Sequence, residues 1–347
     1  METQRRLFWL DFIRVISSVL VVLQHGISPE WMRMGAEAPA SLTWRIMNLI
    51  FMIARMAVPL FFLSSGCLML SKERTIKNIW THSIPGVLLT YVAWMLVFGF
   101  KEAITIIQNG NATPRVITNA FIKQILFGGF HTWFIFALIG LYMITPLLCT
   151  FVRNRTYLSY FVLLSFLFSC VFPLVASLDP SDRLKEALSS FHMEYVTGYI
   201  LYYMLGALLA GLALTATCAK IACAISVAGS LAAYLISCIQ SVSRGSAVQD
   251  PYATPSLLGV LFTGALFYLA RYLRDPAADS VVRRIIRFLA DTSMGVYLLH
   301  PLFQLAIIER FPGLSSLVGA LLIYGISLAV CAVLYLNRFT RRVFLHS

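Results

Sequence analysis

Charged residues are scarce in this chain of 347 residues. Asp, Glu, Lys and Arg together make up 12% of the sequence, whereas 59% of the residues are hydrophobic. An ordinary soluble domain holds roughly a quarter charged residues. The composition therefore excludes a water-soluble fold and predicts an integral membrane protein.

The cysteines lack the spacing of a disulfide framework or metal site, and the basic residues lack the pattern of a nucleic-acid-binding site. The seven cysteines include no C-x-x-C pair, so we predict neither a disulfide framework nor a metal site. Basic residues do not alternate with aromatic residues as they do in proteins that bind single-stranded nucleic acid, and we expect no nucleic-acid partner. The net charge of +12 therefore needs another explanation.

Long apolar runs fill most of the chain, and no linker or solenoid repeat divides it. Crossing the hydrocarbon core takes about 20 predominantly apolar residues, and about ten such runs are present. They extend roughly over Leu10 to Ile27, Ile46 to Leu70, Ile84 to Phe100, Thr132 to Val152, Leu158 to Ala176, Val196 to Leu214, Ile221 to Ile239, Pro255 to Leu273, Phe288 to Ile308 and Leu314 to Leu336. We predict an all-α membrane protein with one domain over residues 1–347, a single bundle of about ten transmembrane helices.

Basic residues alternate between successive loops, which explains the net charge. Lys and Arg favour the cytoplasmic side of a membrane. With the N-terminus inside, sixteen of the 27 Lys and Arg residues fall on cytoplasmic segments and nine on outer segments. The cytoplasmic set is Arg5, Arg6, Lys72, Arg74, Lys77, Arg153, Arg155, Lys220, Arg271, Arg274, Arg283, Arg284, Arg287, Arg338, Arg341 and Arg342. Both termini are therefore predicted to be cytoplasmic. The longest outer loops, Lys101 to His131 and Ser177 to Tyr195, are candidates to contact an outer substrate.

Three ionisable residues, Asp11, Arg14 and His25, interrupt the first apolar run. Ionisable groups within hydrocarbon are costly unless paired or facing a cavity, so they are functional candidates. Asp11 and Arg14 have the i, i+3 spacing of a structural ion pair, which stays an alternative. Arg14 and His25 are about three helical turns apart, with roughly 16 Å of rise, and share one face. Because a neutral imidazole suits proton transfer near pH 7, Arg14 and His25 are the catalytic candidates, and a purely structural histidine is the alternative.

Further candidates lie in the second, fourth and ninth apolar runs. Arg55 and Ser65 flank Pro59 in the second run, although small residues there are equally typical of helix packing. His131 and Trp133 open the fourth run on the predicted outer side, where His25 and His131 are expected to converge, with an interfacial aromatic belt as the alternative. Tyr297 and His300 precede Pro301, a residue that frees a backbone carbonyl and bends a helix.

Four segments resemble motifs of a known family. Leu10-Asp11-Phe12-Ile13-Arg14, followed after ten residues by His25, resembles the opening signature of the membrane-bound acyltransferase-three family. Pro59 to Gly66, His131 to Phe134, and Ser293 to Pro301 are similar to its later motifs, in the same order. The resemblance covers nearly the whole chain. Within the family, the layout is most similar to that of the bacterial O-acetyltransferases of enterobacterial common antigen, including the stretch from Tyr199 to Gly206.

This resemblance implies an activity. It implies transfer of an acetyl or other short acyl group from cytoplasmic acyl-CoA to a hydroxyl of a cell-surface or lipid-linked glycan, in the bacterial cytoplasmic (inner) membrane. Acetyl-CoA would be a donor substrate, with no bound cofactor, and membrane lipid a further partner. His25 would act as general base or transient acyl carrier, and Arg14 would position the donor or stabilise negative charge. The implied substrate-binding residues are Asp11, Arg55, Ser65, His131, Trp133, Tyr297 and His300.

One segment departs from the family pattern, and a rival function is also consistent with the sequence. Relatives often carry an Arg-x-x-x-Arg pair near the third span, whereas here Arg74 is followed at that spacing by Asn78 and Lys77 by Thr81. Arg74, Lys77 and His82 are candidates to supply that cation for the donor phosphates, and a plain positive-inside cluster explains Arg74 and Lys77 equally well. The rival function is a multi-span transporter or flippase of a glycan, lipid or small anion, because intramembrane Arg and His also mark transport pathways. It predicts two related halves, which the sequence does not display.

Overall fold

The computed structural model describes residues 7–110, 112–177, 181–311 and 316–346, and all regular elements within these ranges are helices. The predicted all-α class is therefore confirmed. Arg5, Arg6 and Leu314, which entered the predictions of topology and spans, lie outside the described residues.

The principal helices of the described ranges are numbered here in chain order. They are α1 (Phe8–Glu37), α2 (Leu42–Ala54), α3 (Ala57–Met69), α4 (Ile76–Gln108), α5 (Pro114–Phe127), α6 (Trp133–Arg153), α7 (Arg155–Ala176), α8 (Arg183–Ser189), α9 (Tyr199–Ala210), α10 (Ala216–Arg244), α11 (Leu257–Ala270), α12 (Val281–Arg310) and α13 (Ser316–Tyr335). Helix α4 contains a π-helical turn at Ile79–Ser83, and α7 contains another at Leu167–Val171. The chain after α13 ends in a short helical segment, Arg338–Thr340, and a π-helical turn, Arg341–Leu345.

Eight stretches in the described part are long and apolar enough to cross a membrane. They comprise α1, α2 with α3, α4, α6, α7, α10, α11 with the turn before it, and α13. Helix α9 is apolar but has only 12 residues, and α12 has 30 residues with Pro301 inside it. These helices make the chain a multi-pass membrane protein. The total of about ten spans and the cytoplasmic termini stay predictions.

The chain divides into two compact units. The first unit comprises residues 1–74 and 145–287, and the second comprises residues 75–144 and 288–347. Helices α1 to α3 and α7 to α11 belong to the first unit, whereas α4, α5 and α13 belong to the second. Helices α6 and α12 each continue from one unit into the other. The single domain expected over residues 1–347 stays a prediction.

Two glycines bring α3 and α9 into backbone contact in the first unit. A methyl group added to Gly66 would lie 1.8 Å from the carbonyl oxygen of Tyr203. In return, a methyl group on Gly206 would lie 2.1 Å from the carbonyl oxygen of Leu63. Lipid tails are as apolar as leucine, so close packing of small residues is a main source of helix association in membranes. Glycine at both positions leaves room for the facing backbone and therefore fixes how α9 lies on α3.

The C-terminal segment packs onto α4 in the second unit. The indole nitrogen of Trp94 donates a hydrogen bond to the carbonyl oxygen of Phe344 over 2.9 Å. The Trp94 and Phe344 rings also meet edge to face, with centroids 5.2 Å apart. Leu345 is fully buried. The chain end is thus part of the packed structure of this unit.

The segment from Lys101 to His131, predicted as an outer loop, is mostly helical. Helix α4 continues to Gln108, and α5 occupies Pro114–Phe127. The hydroxyl oxygen of Thr113 accepts a hydrogen bond from the amide of Val116, and Pro114 follows at the first helical position. A capping threonine before proline is a local start signal for a helix, which a criterion based on apolar length overlooks. None of the α5 side chains is buried.

Candidate functional site

Helix α1 presents the two catalytic candidates on one face. It is continuous from Phe8 to Glu37, so the eleven-residue separation of Arg14 and His25 corresponds to about three turns, as expected. Both side chains are half-buried, and Asp11 is buried. Helix α1 packs against α2 and α3 within the first unit. The ion pair between Asp11 and Arg14 stays a prediction.

The second span is interrupted beside this helix, and Arg55 lies at the interruption. Helix α2 ends at Ala54, Arg55 forms its C-terminal cap, and α3 begins at Ala57. Four residues later, Pro59 has no amide hydrogen for the carbonyl of Arg55, which explains the break. The Arg55 guanidinium lies within electrostatic range of His25. The structure therefore brings together two of the residues that the sequence singled out.

Three tyrosines lie within electrostatic range of Arg55. Tyr199 and Tyr202 at the start of α9, and Tyr252 before α11, lie within electrostatic range of its guanidinium. In the described part of the chain, the buried Nε of Arg55 and the buried hydroxyl of Tyr202 have no hydrogen-bond partner. Buried polar groups are normally paired. A guanidinium and a phenol hydroxyl held in this way suit an oxygen of a bound substrate that carries or develops negative charge.

A serine in α3 also has a buried hydroxyl without a hydrogen-bond partner among the described residues. Ser64 is 2% exposed, and its hydroxyl oxygen has no hydrogen-bond partner among the described residues. Ser65, which the sequence singled out, is half-buried. The two neighbours differ because consecutive helical residues point about 100° apart. The sequence singled out Ser65, whereas the more deeply buried hydroxyl belongs to Ser64.

A glycine sets the start of α9 and so the position of its tyrosines. Gly198 caps the helix with φ 81° and ψ −135°, a conformation that residues with a side chain rarely adopt. Its amide donates a hydrogen bond to the hydroxyl oxygen of Ser169 over 3.1 Å. The Tyr199 ring then stacks on Phe62 of α3, with centroids 4.7 Å apart. These contacts help to hold Tyr199 and Tyr202 within electrostatic range of Arg55.

A buried amide ties the helices around this site together. The side-chain oxygen of Asn48 accepts hydrogen bonds from the Trp31 indole over 2.9 Å and from the Tyr252 hydroxyl over 2.7 Å. Its amide nitrogen donates to the Ser237 hydroxyl over 3.1 Å, and that hydroxyl donates to the carbonyl of Val248 over 2.6 Å. Four segments of the first unit thus meet at one residue. Asn48 carried no signal in the sequence, because a single asparagine in an apolar run does not reveal its partners.

The second unit contains a separate polar cluster. His131 and His300 are each 1% exposed, and their ring centroids are 5.7 Å apart. The buried hydroxyl of Tyr297 donates a hydrogen bond to the carbonyl oxygen of His131. Phe98 and Phe134 pack on the rings of this cluster. Three candidates from distant parts of the sequence therefore lie together.

Pro301 determines the hydrogen bonding of His300. Since proline has no amide hydrogen, the carbonyl of Tyr297, four residues earlier, lacks its usual helical donor. The Nδ1 atom of His300 lies 2.7 Å from that carbonyl oxygen. A carbonyl oxygen can only accept, so Nδ1 carries the hydrogen and Nε2 of the neutral ring is the acceptor. His300 is thus oriented as a base or acceptor through Nε2.

The remaining candidates are less tightly placed. Trp133 is 41% exposed, as expected for either an interfacial or a substrate-contacting residue. His25 and His131 belong to different units, so their expected convergence stays a prediction. Among the proposed phosphate-binding residues, Arg74 belongs to the first unit, whereas Lys77 and His82 belong to the second. Within the described ranges, the buried Nε of Arg74 has no hydrogen-bond partner.

Comparison with known proteins gives one match. The model of the acyltransferase-three family, described as an acyltransferase domain, matches residues 7–336. No curated protein and no solved structure matches the chain. The matched range contains both α1, with its catalytic candidates, and the polar cluster of the second unit.

Proposed function

The chain belongs to the acyltransferase-three family, and from this premise we propose that it is a membrane O-acyltransferase. It moves an acetyl or another short acyl group from acyl-CoA to a hydroxyl of a cell-surface or lipid-linked glycan. The observation that carries the proposal is that His25 lies within electrostatic range of Arg55 in a chain that matches the family over residues 7–336. The match gives no support to a transporter or flippase.

His25 acts as the general base in this proposal. Its neutral imidazole takes the proton of the acceptor hydroxyl while the hydroxyl oxygen attacks the thioester carbonyl carbon. A C–O bond forms, the C–S bond breaks, and the coenzyme A thiolate leaves and takes up a proton. A route in which the imidazole first accepts the acyl group and then passes it to the hydroxyl uses the same side chain.

Arg55 and Tyr202 stabilise the oxygen that becomes negative in that step. The Nε atom of Arg55 and the hydroxyl of Tyr202 are buried, and neither has a hydrogen-bond partner within the described ranges. Donors held in place before the reaction stabilise a developing oxyanion without having to reorganise. The Ser64 hydroxyl is a further donor in the same unit.

The donor approaches from the side of Arg14. We place both termini in the cytoplasm, because the basic residues alternate between loops in that sense. Arg14 then lies nearer the cytoplasmic face than His25, about 16 Å away along α1. Acetyl-CoA is a substrate in this scheme, and Arg74 is the candidate cation for its phosphates.

The acceptor binds in a cavity of the first unit. This cavity has a volume of ≈ 590 Å³ and is lined by residues of α7, α8 and the segment before α9. Its lining includes the rings of Phe168 and Phe172 and the carboxylates of Asp182 and Glu194. Apolar surfaces with a few polar groups are typical of small-molecule sites. Flat rings beside carboxylates suit a sugar, whose C–H faces pack on aromatics and whose hydroxyls donate hydrogen bonds.

The resemblance in layout supports one class of acceptor. Similarity to the O-acetyltransferases of enterobacterial common antigen supports a glycan of that type, O-acetylated at the bacterial inner membrane. The aromatic and acidic lining of the cavity is consistent with such a saccharide.

An acyl-transfer assay tests the proposal. The full-length protein in lipid is supplied with radiolabelled acetyl-CoA and a surface-glycan extract, and incorporation of label into glycan is measured. Wild type is expected to transfer the label, whereas His25→Ala is expected to lose at least about 10²-fold in rate, the usual range for a positioned base. Gln24→Ala is the matched control, because its side chain is half-buried on the same helix but points about 100° away.

Each outcome bears on a different part of the proposal. Undiminished transfer by His25→Ala overturns the role of the imidazole. If wild type consumes no thioester but moves glycan across vesicle membranes, the acyltransferase proposal is overturned and a transport function replaces it.

A further inference from the structure

An apolar groove in the first unit lies among α7, α9, α11 and α10. Its volume is ≈ 480 Å³, within the range of about 300–1,000 Å³ typical of small-molecule sites. In the order given, each consecutive pair of these helices packs together. The lining is almost entirely aliphatic and aromatic, for example Leu163 on α7, Leu205 on α9 and Ile225 on α10. Leu163 and Ile221 at its edges are more than half exposed, so the groove opens onto an apolar surface.

Three cations lie at one end of this groove. The guanidinium of Arg271 donates to the carbonyl of Leu209 over 2.6 Å and lies over the ring of Tyr268, 5.4 Å from its centroid. Arg155 donates to the carbonyl of Gly211 over 3.2 Å. Leu209 and Tyr268 line the groove, so the two arginines lie at its end. Lys220 is exposed at the same end of α10, although its side chain starts about 100° away from that of the lining residue Ile221.

Other basic residues of this unit form ion pairs with carboxylates. Arg153 forms an ion pair with Glu73, and Arg283 forms one with Asp275. Within the described ranges, no carboxylate forms an ion pair with Arg155, Lys220 or Arg271. Each arginine commits one nitrogen to a carbonyl at the end of α9, which leaves further N–H donors of the planar guanidinium for a phosphate.

We propose that this groove binds an anionic glycerophospholipid, with one acyl chain between α7, α9, α10 and α11 and the phosphate on Arg155, Lys220 and Arg271. Basic pockets between transmembrane helices on the cytoplasmic side suit anionic lipid headgroups, and the inner leaflet supplies negative lipids there. The charge of the rim selects an anionic over a zwitterionic lipid. The apolar groove selects a lipid over a soluble phosphate.

Lipid binding is measured directly on the full-length protein, independently of acyl transfer. The protein in detergent is titrated with phosphatidylglycerol or with phosphatidylcholine, and bound lipid is counted by native mass spectrometry alongside the thermal unfolding midpoint. Phosphatidylglycerol is expected to stay bound and to raise the midpoint by several degrees more than phosphatidylcholine does. The double variant Arg155→Gln/Lys220→Gln is expected to lose at least half of that difference.

Two further variants separate the groove from general effects. Gly264 faces Leu205 and Leu209 in the groove, so Gly264→Leu is expected to displace the acyl chain and reduce binding. Gly325→Leu adds the same bulk where the structure leaves open space, and Arg115→Gln/Lys123→Gln removes two exposed charges of α5. Both controls are expected to keep the phosphatidylglycerol effect.

Three results would overturn the proposal. One is equal stabilisation by phosphatidylglycerol and phosphatidylcholine. Another is full retention of phosphatidylglycerol binding by Arg155→Gln/Lys220→Gln, which remains informative if Gly264→Leu does not fold. The third is binding of a polyprenyl phosphate without binding of phosphatidylglycerol, which assigns the groove to a lipid-linked acceptor instead.

Discussion

Gly66 of α3 lies directly against the backbone of Tyr203 of α9, so that a methyl group on Gly66 would come within 1.8 Å of the Tyr203 carbonyl oxygen. Neither neighbour can move away easily, because both atoms belong to the backbone of packed helices. This contact positions Tyr199 and Tyr202 beside Arg55. The stability of the protein and the geometry of its candidate site therefore depend on the same pair of helices.

Gly66→Ala is expected to destabilise the protein by at least about 1–3 kcal/mol, the cost of forcing extra atoms into a packed core. The thermal unfolding midpoint in detergent measures this effect. Gly211→Ala is the matched control, since a methyl group there meets its nearest atom at 3.6 Å. Equal midpoints for Gly66→Ala and wild type would show that α3 and α9 are not in backbone contact.

Arg55→Lys is expected to retain the fold but to reduce acyl transfer by about 10²-fold, the usual effect of losing one oxyanion donor. Lysine keeps the charge but lacks the planar guanidinium and its Nε–H. The measurement is kcat with acetyl-CoA. Arg45→Lys controls for the exchange itself, because Arg45 is exposed on the same helix, α2. Normal kcat in Arg55→Lys would remove Arg55 from the reaction.

Asn48→Leu is expected to destabilise the first unit by about 1–2 kcal/mol, the upper range for hydrogen bonds between helices in a membrane. The substitution leaves the Trp31 indole and the Tyr252 hydroxyl without their shared acceptor. Thermal unfolding measures the loss, and Asn119→Leu on the exposed helix α5 is the control. If both variants unfold at the same temperature as wild type, the buried amide does not hold these segments.

Pro301→Ala is expected to strengthen α12 but to reduce the activity of the enzyme. Alanine restores an amide hydrogen for the carbonyl of Tyr297, which displaces Nδ1 of His300 from its 2.7 Å contact. The unfolding midpoint and kcat are measured on the same preparation. A rise in stability without loss of activity would show that the orientation of His300 is not used in catalysis. Pro146→Ala, within α6, is the control. It tests whether replacing any proline inside a helix raises stability and lowers activity.

Part of this structure could be predicted from the sequence because the signals are local. The apolar runs predicted the helices, and the spacing of Arg14 and His25 predicted their common face on α1. The helix break at Arg55 also has a local cause in Pro59, four residues later. The capped helix α5 had a local signal in Thr113 and Pro114, which apolar length does not detect.

Other parts depend on contacts between distant segments. Which of Ser64 and Ser65 is buried depends on the helices that pack against α3, which include α1 and α9. The surroundings of Arg55 come from Tyr199, Tyr202 and Tyr252, which lie far along the chain. An apolar helix matches many partners equally well, so the hydropathy pattern alone does not choose among these pairings.

The interruption of the second span at Arg55 has an electrostatic consequence. The carbonyl end of a helix carries partial negative charge from the aligned peptide dipoles, and Arg55 caps that end of α2. The backbone therefore favours a cation in the interior of the span. No carboxylate in the described ranges forms an ion pair with Arg55, so its charge is not cancelled by an acidic side chain. Its positive charge therefore persists within electrostatic range of His25, where the proposed reaction develops negative charge on an oxygen.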